Sequence, residues 1–332
     1  MDATARRIEI FAPFTAAFDY TKLVLFQPFD LTKWLTIGFA AFLAGLADGT
    51  RLNFSGGWSG PDFKGKWFSA DSTGVAEQFA SPLFVALMVA IGIVVLVVIL
   101  LFMWLGARGR FMFIDCVVRN RGAIEEPWRE YRREGNGLFL LMLVAGVIWL
   151  LLFALLALPL LIPFFQGGEF SFGIWQIVYL LTAVPVVIVL SVIWMLIAWF
   201  IAPVMYRQRC SALAALRQVV NLIGEYPVPF ILYLLFAVVL LVAGGLTTCL
   251  VSCVTCCIAL LPYIGTVILL PLYTFYYSYT LLFLRQFGPE YDAWTGLLPL
   301  EQGTPAMEQT VEQEPPPVEE NPPPSDEPPP LP

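Results

Sequence analysis

The chain has 332 residues, of which 59% are hydrophobic and 13% are charged, and its formal net charge is −7. Soluble globular proteins average about 25% charged residues, so this composition excludes an ordinary water-soluble domain. The chain contains no histidine. That absence excludes histidine-based catalytic triads, histidine metal sites and imidazole proton relays.

The few charges leave long uncharged stretches, which are Gln78–Ala107, Gly135–Gly168, Phe170–Tyr206 and Tyr226–Leu284. A helix needs about 20 apolar residues to cross the hydrocarbon core of a bilayer. Each of the first three stretches therefore predicts one membrane span. The last stretch, with 59 residues, predicts two spans and a turn.

In chain order, residues 1–30 predict an N-terminal amphipathic segment at the membrane interface, ending near Pro28. Residues 31–297 predict a polytopic transmembrane domain, so the expected fold is an all-α helical bundle of about six spans. The spans are expected at about 31–47, 82–106, 138–165, 176–202, 228–250 and 258–284. The first span is the shortest and requires Lys33 to extend towards the headgroups.

A weak internal repeat is visible in this order. An amphipathic segment precedes each pair of spans, at residues 6–30, 109–134 and 203–225. In the third segment apolar side chains recur at helical spacing; they are Leu213, Leu216, Val220 and Ile223. The pattern predicts three repeated units of an amphipathic helix followed by a hairpin.

The C-terminal segment, residues 298–332, has a different composition. It carries eight acidic residues and no Lys or Arg, and without those acids 18 basic and 17 acidic residues remain in the chain. Eleven of the 26 prolines lie beyond residue 304. Such a segment cannot build a core, so we expect a disordered acidic tail with polyproline II character. It is either a ligand for a polyproline-binding protein or a solubilising extension.

The orientation of the chain follows from the distribution of Lys and Arg, since cytoplasmic loops retain them. With the N-terminus inside, 15 basic residues fall on the cytoplasmic side and three, Arg51, Lys64 and Lys66, on the other. The sequence therefore predicts a multi-pass protein of the plasma or inner membrane with both termini in the cytoplasm.

Two groups of short motifs carry a resemblance. One comprises Arg110–Asp115 and Pro127–Asn136, and the other comprises Cys256–Gly265 and Leu282–Gly288. Together they resemble an uncharacterised family of bacterial six-span proteins, itself similar to the membrane domain of some glycerophosphodiester phosphodiesterases. The resemblance covers about residues 25–292 and implies fold and location. It implies no activity, because a catalytic barrel of about 250 residues has no room in this chain.

The spans offer little for catalysis. Spans two to six contain no Asp, Glu, Lys or Arg, whereas ion-coupled transporters and proton pumps keep ionisable groups at membrane depth. Their hydroxyls have no base to activate them. We therefore expect a protein that is not an enzyme and has no cofactor, a scaffold or partner-binding protein acting through its cytoplasmic connectors and tail. The alternative is a transporter or lipid-handling protein for an apolar or lipid-like substrate.

The connector from Arg108 to Glu134 alternates seven arginines with five acids. Pairs are expected between Glu125 and Arg129 and between Glu130 and Arg133, and Ile124, Trp128 and Tyr131 are expected at headgroup level. One interpretation is a basic anchor on anionic lipid. The other is binding of a phosphate-bearing ligand or headgroup, with candidate contacts Arg108, Arg110, Arg119, Arg121, Arg132 and Arg133. Nucleic acid is not an expected partner, since this basic segment adjoins the membrane.

Four cysteines, Cys249, Cys253, Cys256 and Cys257, share one helix face. Small residues of this kind favour close helix packing, as do Gly244 and Gly245 beside them. Four thiolates on one helix cannot readily surround a metal, so packing is preferred to ligation. A disulfide to another chain stays open if this end faces an oxidising space.

Overall fold

The computed structural model describes residues 8–46, 82–165, 174–255, 258 and 261–295, and this part of the chain is all α. Its helices are α1 (Phe11–Phe26), α2 (Leu31–Leu46), α3 (Pro82–Val118), α4 (Glu125–Glu130), α5 (Arg132–Phe165), α6 (Ile174–Gln208), α7 (Ala212–Glu225), α8 (Pro227–Val254), α9 (Pro262–Ile268) and α10 (Leu270–Arg285).

Several helix starts follow directly from local sequence. Proline occupies the first turn of α8 and α9, as Pro227 and Pro262, where its missing N–H costs nothing and its fixed φ suits the helix. Ser211 caps α7, and its side-chain oxygen accepts a hydrogen bond from the Ala214 N–H at 3.4 Å. These residues separate the long apolar helices from the short connecting ones.

Four helices, α3, α5, α6 and α8, are long and apolar enough to cross a membrane. In their most apolar 18-residue windows only 0–22% of the residues are buried inside the structure. Apolar side chains left exposed over such lengths require a hydrocarbon surrounding. The protein is therefore a multi-pass helical membrane protein.

The other two expected spans, at 31–47 and 258–284, do not form single long helices. Helices α9 and α10 pass the same test only as a pair, and they are bent by 68° with respect to each other. Helix α2 is shorter, with 16 residues. The structure thus contains four to five candidate spans in its described part, and a sixth span stays a prediction. The segment from 47 to 81 and the acidic tail at 298–332 lie outside the described residues.

Close packing between the helices of the chain is concentrated at one end of the bundle. There α3, α6 and α10 end and α5 and α8 begin, and the buried side chains of the core cluster around these ends. Lys33 belongs to this packing, because its Nζ donates to Val24 O and to Asn120 Oδ1, each at 2.7 Å. It does not extend to headgroups as expected. We call this end, which carries Arg108–Arg133, Arg207–Arg217 and Arg285, the basic end.

Helix α7 lies at the basic end with two apolar faces. Its buried face is Ala212, Ala215, Val219 and Leu222, which pack on the bundle. The stripe expected from the sequence is a neighbouring face, on which Leu213 and Val220 are exposed by 63% and 46%. A helix that packs on protein with one side and exposes leucine and valine on another suits the membrane interface.

Candidate functional site

A cleft of about 180 Å³ opens between four helices at the basic end. Arg110 of α3 lines it, together with Ala198, Trp199, Ala202 and Pro203 of α6, Tyr233, Ala237, Leu240 and Leu241 of α8, and Tyr276, Tyr277, Tyr279 and Thr280 of α10. Small side chains of α6 and α8 share this lining with the rings of Trp199, Tyr233 and three tyrosines of α10. The lining is therefore mostly apolar and aromatic, with a few polar groups.

Hydroxyl groups in the cleft make two separate hydrogen bonds. The Tyr233 and Thr280 hydroxyls share a hydrogen bond of 2.9 Å, and the Tyr276 hydroxyl donates to Leu240 O at 2.6 Å. Tyr279 stacks on Tyr233 with ring centroids 5.4 Å apart. The Tyr279 side chain is only 2% exposed, and its hydroxyl has no hydrogen-bond partner among the described residues. A buried hydroxyl left in that state costs about 1–3 kcal/mol.

The cleft extends from the basic end into the apolar part of the bundle. Its residues on α8, from Tyr233 to Leu241, lie six to fourteen positions after Pro227. At 1.5 Å per residue this places them roughly 9–21 Å along the helix. Arg110 lies two positions after Arg108, the first charged residue beyond the long apolar run of α3.

A second polar feature at the basic end is a buried carboxylate, Asp115, which is 0% exposed. Arg119 Nε lies 3.1 Å from its Oδ1 and Arg121 donates to its Oδ2 at 3.1 Å. The Tyr206 hydroxyl donates to Oδ1 at 3.1 Å. One carboxylate therefore binds two arginines beyond α3 and a tyrosine of α6.

The same arginines reach further acids. Arg121 donates to Glu126 at 2.7 Å, and Arg119 lies 3.6 Å from Glu130. Glu130 also accepts from Arg209, whose guanidinium lies 3.8 Å from the centroid of the Tyr131 ring. These contacts form one ion-pair network joining the ends of α3 and α6 to α4.

Burial and ion pairing shift the pKa of several members of the network; burial raises the pKa of Asp115, against the opposing effect of Arg119 and Arg121. Burial alone would lower the pKa of Arg119, but the combined charges of Asp115, Tyr206, Tyr131 and Glu130 outweigh it and the pKa is raised. The pKa of Arg121 is also raised against the effect of burial, and the hydrogen bond to the Glu126 carboxylate is the largest of the contributions that raise it. The hydrogen bond from Arg121 lowers the pKa of Glu126 in turn. Burial raises the pKa of Tyr131 to about 12, so its ring stays neutral.

The six arginines expected as headgroup contacts are divided among four surroundings. Arg119 and Arg121 belong to the ion-pair network, and Arg110 lines the cleft. Arg108 is 7% exposed, its guanidinium lies 4.4 Å and 5.0 Å from the Trp104 and Trp128 rings, and it donates to Asn136 Oδ1. Arg132 and Arg133 are exposed. The structure does not gather the six into one site.

Only some of the ion pairs and membrane anchors expected in the connector are present in the structure. Glu125 and Arg129 do pair, at 3.7 Å. Glu130 contacts Arg119 and Arg209 instead of Arg133. Tyr131, expected at headgroup level, is 3% exposed and stacks between Phe111 and Tyr206. Residues close in sequence were expected to pair with each other, whereas several pair with distant helices.

The cysteines also differ from expectation where they are described. Cys249 and Cys253 are exposed, so neither packs inside the chain. Gly244 does lie at a close contact, because a Cβ there would meet the Tyr276 hydroxyl, but Gly245 has open space around it. Cys256 and Cys257 lie outside the described residues. Among the described residues no group of His, Cys, Asp or Glu side chains could hold a metal ion.

Sequence reasoning missed the cleft and the Asp115–Tyr206 contact. No local motif marks either, because each joins helices far apart in the chain. The available signal was the position of Asp115, an acid directly after an apolar run, since such a group is costly to bury without partners.

The model of a family described as a family of unknown function (DUF7544) matches residues 9–270, which include α1 to α9. No curated protein and no solved structure matches the chain.

Proposed function

We propose that this protein, which belongs to the DUF7544 family of unknown function, binds a lipid-like molecule. The binding site is the cleft between α3, α6, α8 and α10 of an integral membrane protein, and the proposal is argued from the side chains of this chain. The observation that carries the proposal is the cleft itself. A concave site lined by apolar and aromatic side chains with a few polar groups is the usual form of a small-molecule site.

We therefore favour a lipid-handling protein over a scaffold that acts through the connector. Arg119 and Arg121 contact carboxylates of the same chain, so less of the connector's basic charge is available to a partner than its composition suggests. A role without catalysis remains part of the proposal. The cleft offers rings, hydroxyls and a guanidinium, which bind and orient a ligand.

The test is photo-crosslinking with a diazirine-bearing alkyl alcohol on the full-length protein in lipid nanodiscs, with labelled peptides mapped by mass spectrometry. Label is expected in residues 233–241 and 276–280. Ala237→Phe fills the cleft and should lower this labelling several-fold, because the ring occupies the space of the probe. Ala243→Phe, on an exposed face of the same helix, is the matched control and should leave labelling unchanged.

A second cleft-filling change, Ala198→Leu on α6, guards against misfolding of the first variant. If both filling variants melt like the wild type and label equally well, the cleft does not bind the probe and the proposal fails. Uniform labelling over all exposed helix faces, with no enrichment in the cleft, would have the same meaning.

The complete topology belongs to the same proposal. We propose six spans, with α2 as the first and the bent pair α9–α10 as the last, arranged as three repeated units. In this arrangement the protein lies in the inner membrane of a bacterium. The basic end and both termini are on the cytoplasmic side, as the distribution of Lys and Arg supports. Alkaline phosphatase fused after Gly137 or at the C-terminus should be inactive, and active after Gly168. The reverse pattern would overturn the orientation.

Two further predictions stand beside this function. The kinship with the membrane domain of glycerophosphodiester phosphodiesterases rests on the motifs around Arg110–Asp115 and Leu282–Gly288. The tail, residues 298–332, is proposed to bind a polyproline-recognising protein or to act as a solubilising extension. Truncation after Leu298 separates these two roles of the tail, since loss of a co-purifying protein supports the first and unchanged co-purification the second.

A further inference from the structure

We infer that the exposed face of α7 binds the headgroups of anionic phospholipids, and that Arg217 is the residue that contacts them. This inference is independent of the cleft, because α7 contributes no residue to the described lining of that cleft. Helix α7 has 14 residues, so it is long enough to lie along a membrane surface with one face on protein and another on lipid.

Both ends of α7 lie at the border of the lipid-exposed part of the bundle. At its start, a Cβ built on Gly137 of α5 would lie 3.9 Å from Ala212 Cβ. The exposed side chain of Leu140 follows three positions after Gly137. At its end, only Tyr226 separates α7 from α8, in which Val228 is already exposed. Since α5 and α8 are both long enough to cross the membrane, α7 lies at the membrane surface.

The exposed face of α7 combines apolar side chains with one positive charge. Leu213, Arg217 and Val220 are exposed and recur at helical spacing, so they share one face. Leucine and valine suit hydrocarbon, whereas a guanidinium is costly there. Such a face fits the boundary between headgroups and acyl chains, because the stem of an arginine can lie along apolar surface while its charge reaches the headgroups.

The charges around α7 require an anion from outside the described chain. Between positions 207 and 225 there are three arginines and one acid, Glu225. Arg209 pairs with Glu130, whereas the Nε of Arg207 is buried and has no hydrogen-bond partner among the described residues. Arg217 makes no ion pair or side-chain hydrogen bond within the described part of the chain. An anionic lipid supplies the missing negative charge, and its phosphate accepts hydrogen bonds from a guanidinium.

The experiment measures photo-labelling of residues 211–225 in the full-length protein, reconstituted in phosphatidylcholine nanodiscs. The two probes are phosphatidylglycerol and phosphatidylcholine with the same diazirine-bearing acyl chain. The phosphatidylglycerol probe should label α7 several-fold more than the phosphatidylcholine probe. Arg217→Gln should lower the phosphatidylglycerol labelling about five-fold, the factor for one basic residue at an anionic surface, and leave the phosphatidylcholine labelling unchanged. Arg217→Lys should keep most of the preference.

The matched control is Arg129→Gln, which removes an exposed arginine that pairs with Glu125 and should leave labelling of α7 unchanged. An equal loss in this control means that general surface charge attracts the probe, which overturns the inference. Equal labelling of wild type by both probes, or a preference that survives in Arg217→Gln, also overturns it.

Two further outcomes would contradict a lipid-binding face on α7. Label from both probes on the exposed part of α8, with none in residues 211–225, means that α7 faces water. Displacement of the phosphatidylglycerol probe by inorganic phosphate indicates a site for free phosphate instead of a headgroup. Neither outcome affects the cleft, whose labelling by the alkyl alcohol is measured at residues 233–241 and 276–280.

Discussion

The hydroxyl of Tyr206 donates a hydrogen bond of 3.1 Å to Asp115 Oδ1, although 91 positions separate the two residues. Asp115 is fully buried, and Tyr206 is 6% exposed. The contact fastens the end of α6 to the end of α3, where the cleft and the ion-pair network meet. The stability of the basic end should therefore depend on this carboxylate and on the close packing around it.

Removal of the buried carboxylate should be strongly destabilising. In Asp115→Ala, Arg119 and Arg121 keep their charge and lose their buried partner, which costs about 3–5 kcal/mol in comparable pairs. The measurement is thermal unfolding of the purified protein in detergent. Glu125→Ala removes the exposed partner of Arg129 and should leave the melting temperature unchanged, since exposed pairs contribute little. Equal melting of the two variants would contradict a structural role for Asp115.

A close crossing of α2 and α3 should tolerate no side chain. A Cβ on Gly109 would lie 2.6 Å from the backbone of Leu43 and Ala44, so Gly109→Ala must force the helices apart, at a cost of about 1–3 kcal/mol. Gly92→Ala on the same helix meets no atom within 4 Å. It should be neutral or stabilising, because alanine favours the helix. Thermal unfolding of both variants checks the pair, and a stable Gly109→Ala would show that the crossing is looser.

The hydroxyl of Tyr20 should stabilise the junction between α1, α3 and the segment after α10. It donates to Val117 O at 2.7 Å and accepts from Trp294 Nε1 at 3.1 Å. Tyr20→Phe leaves both groups buried without this partner and should cost about 1–3 kcal/mol. Tyr263→Phe, which removes an exposed and longer bond of 3.4 Å to Leu35 O, should have little effect on unfolding. Indistinguishable variants would argue against this junction.

The network should also give a pH dependence at the acid side. The hydrogen bond from Arg121 lowers the pKa of Glu126 below its ordinary value of 4.5. A group with a lowered pKa stabilises the fold above its unfolded pKa, and this stabilisation is lost as pH falls through the folded pKa. The difference in melting temperature between wild type and Glu126→Gln should thus shrink below pH 4.5. Glu125→Gln serves as control, and a difference independent of pH would contradict this pairing.

Much of the membrane domain was predictable, because each apolar run is a local property. The expected spans at 82–106, 138–165, 176–202 and 228–250 lie within α3, α5, α6 and α8. The expected span at 258–284 instead corresponds to two helices bent by 68°, with Leu269 between them. The candidate site was less predictable. The connector was rightly identified as a basic segment, but the contacts of Glu130 with Arg209 and of Asp115 with Tyr206 come from the distant end of α6.

The sequence by itself determined that hydrocarbon surrounds the long uncharged runs of this chain, because such runs, longer than a bilayer is thick, are stable only there. The sequence also determined which segments carry the positive charge, since the Lys and Arg residues of each segment can be counted directly. Only the tertiary structure decided which arginine lines a cleft and which pairs with the buried carboxylate of Asp115. Arg110 and Arg119 lie nine positions apart on one chain segment, yet their surroundings are set by α6, α8 and α10 for one and by Asp115 for the other.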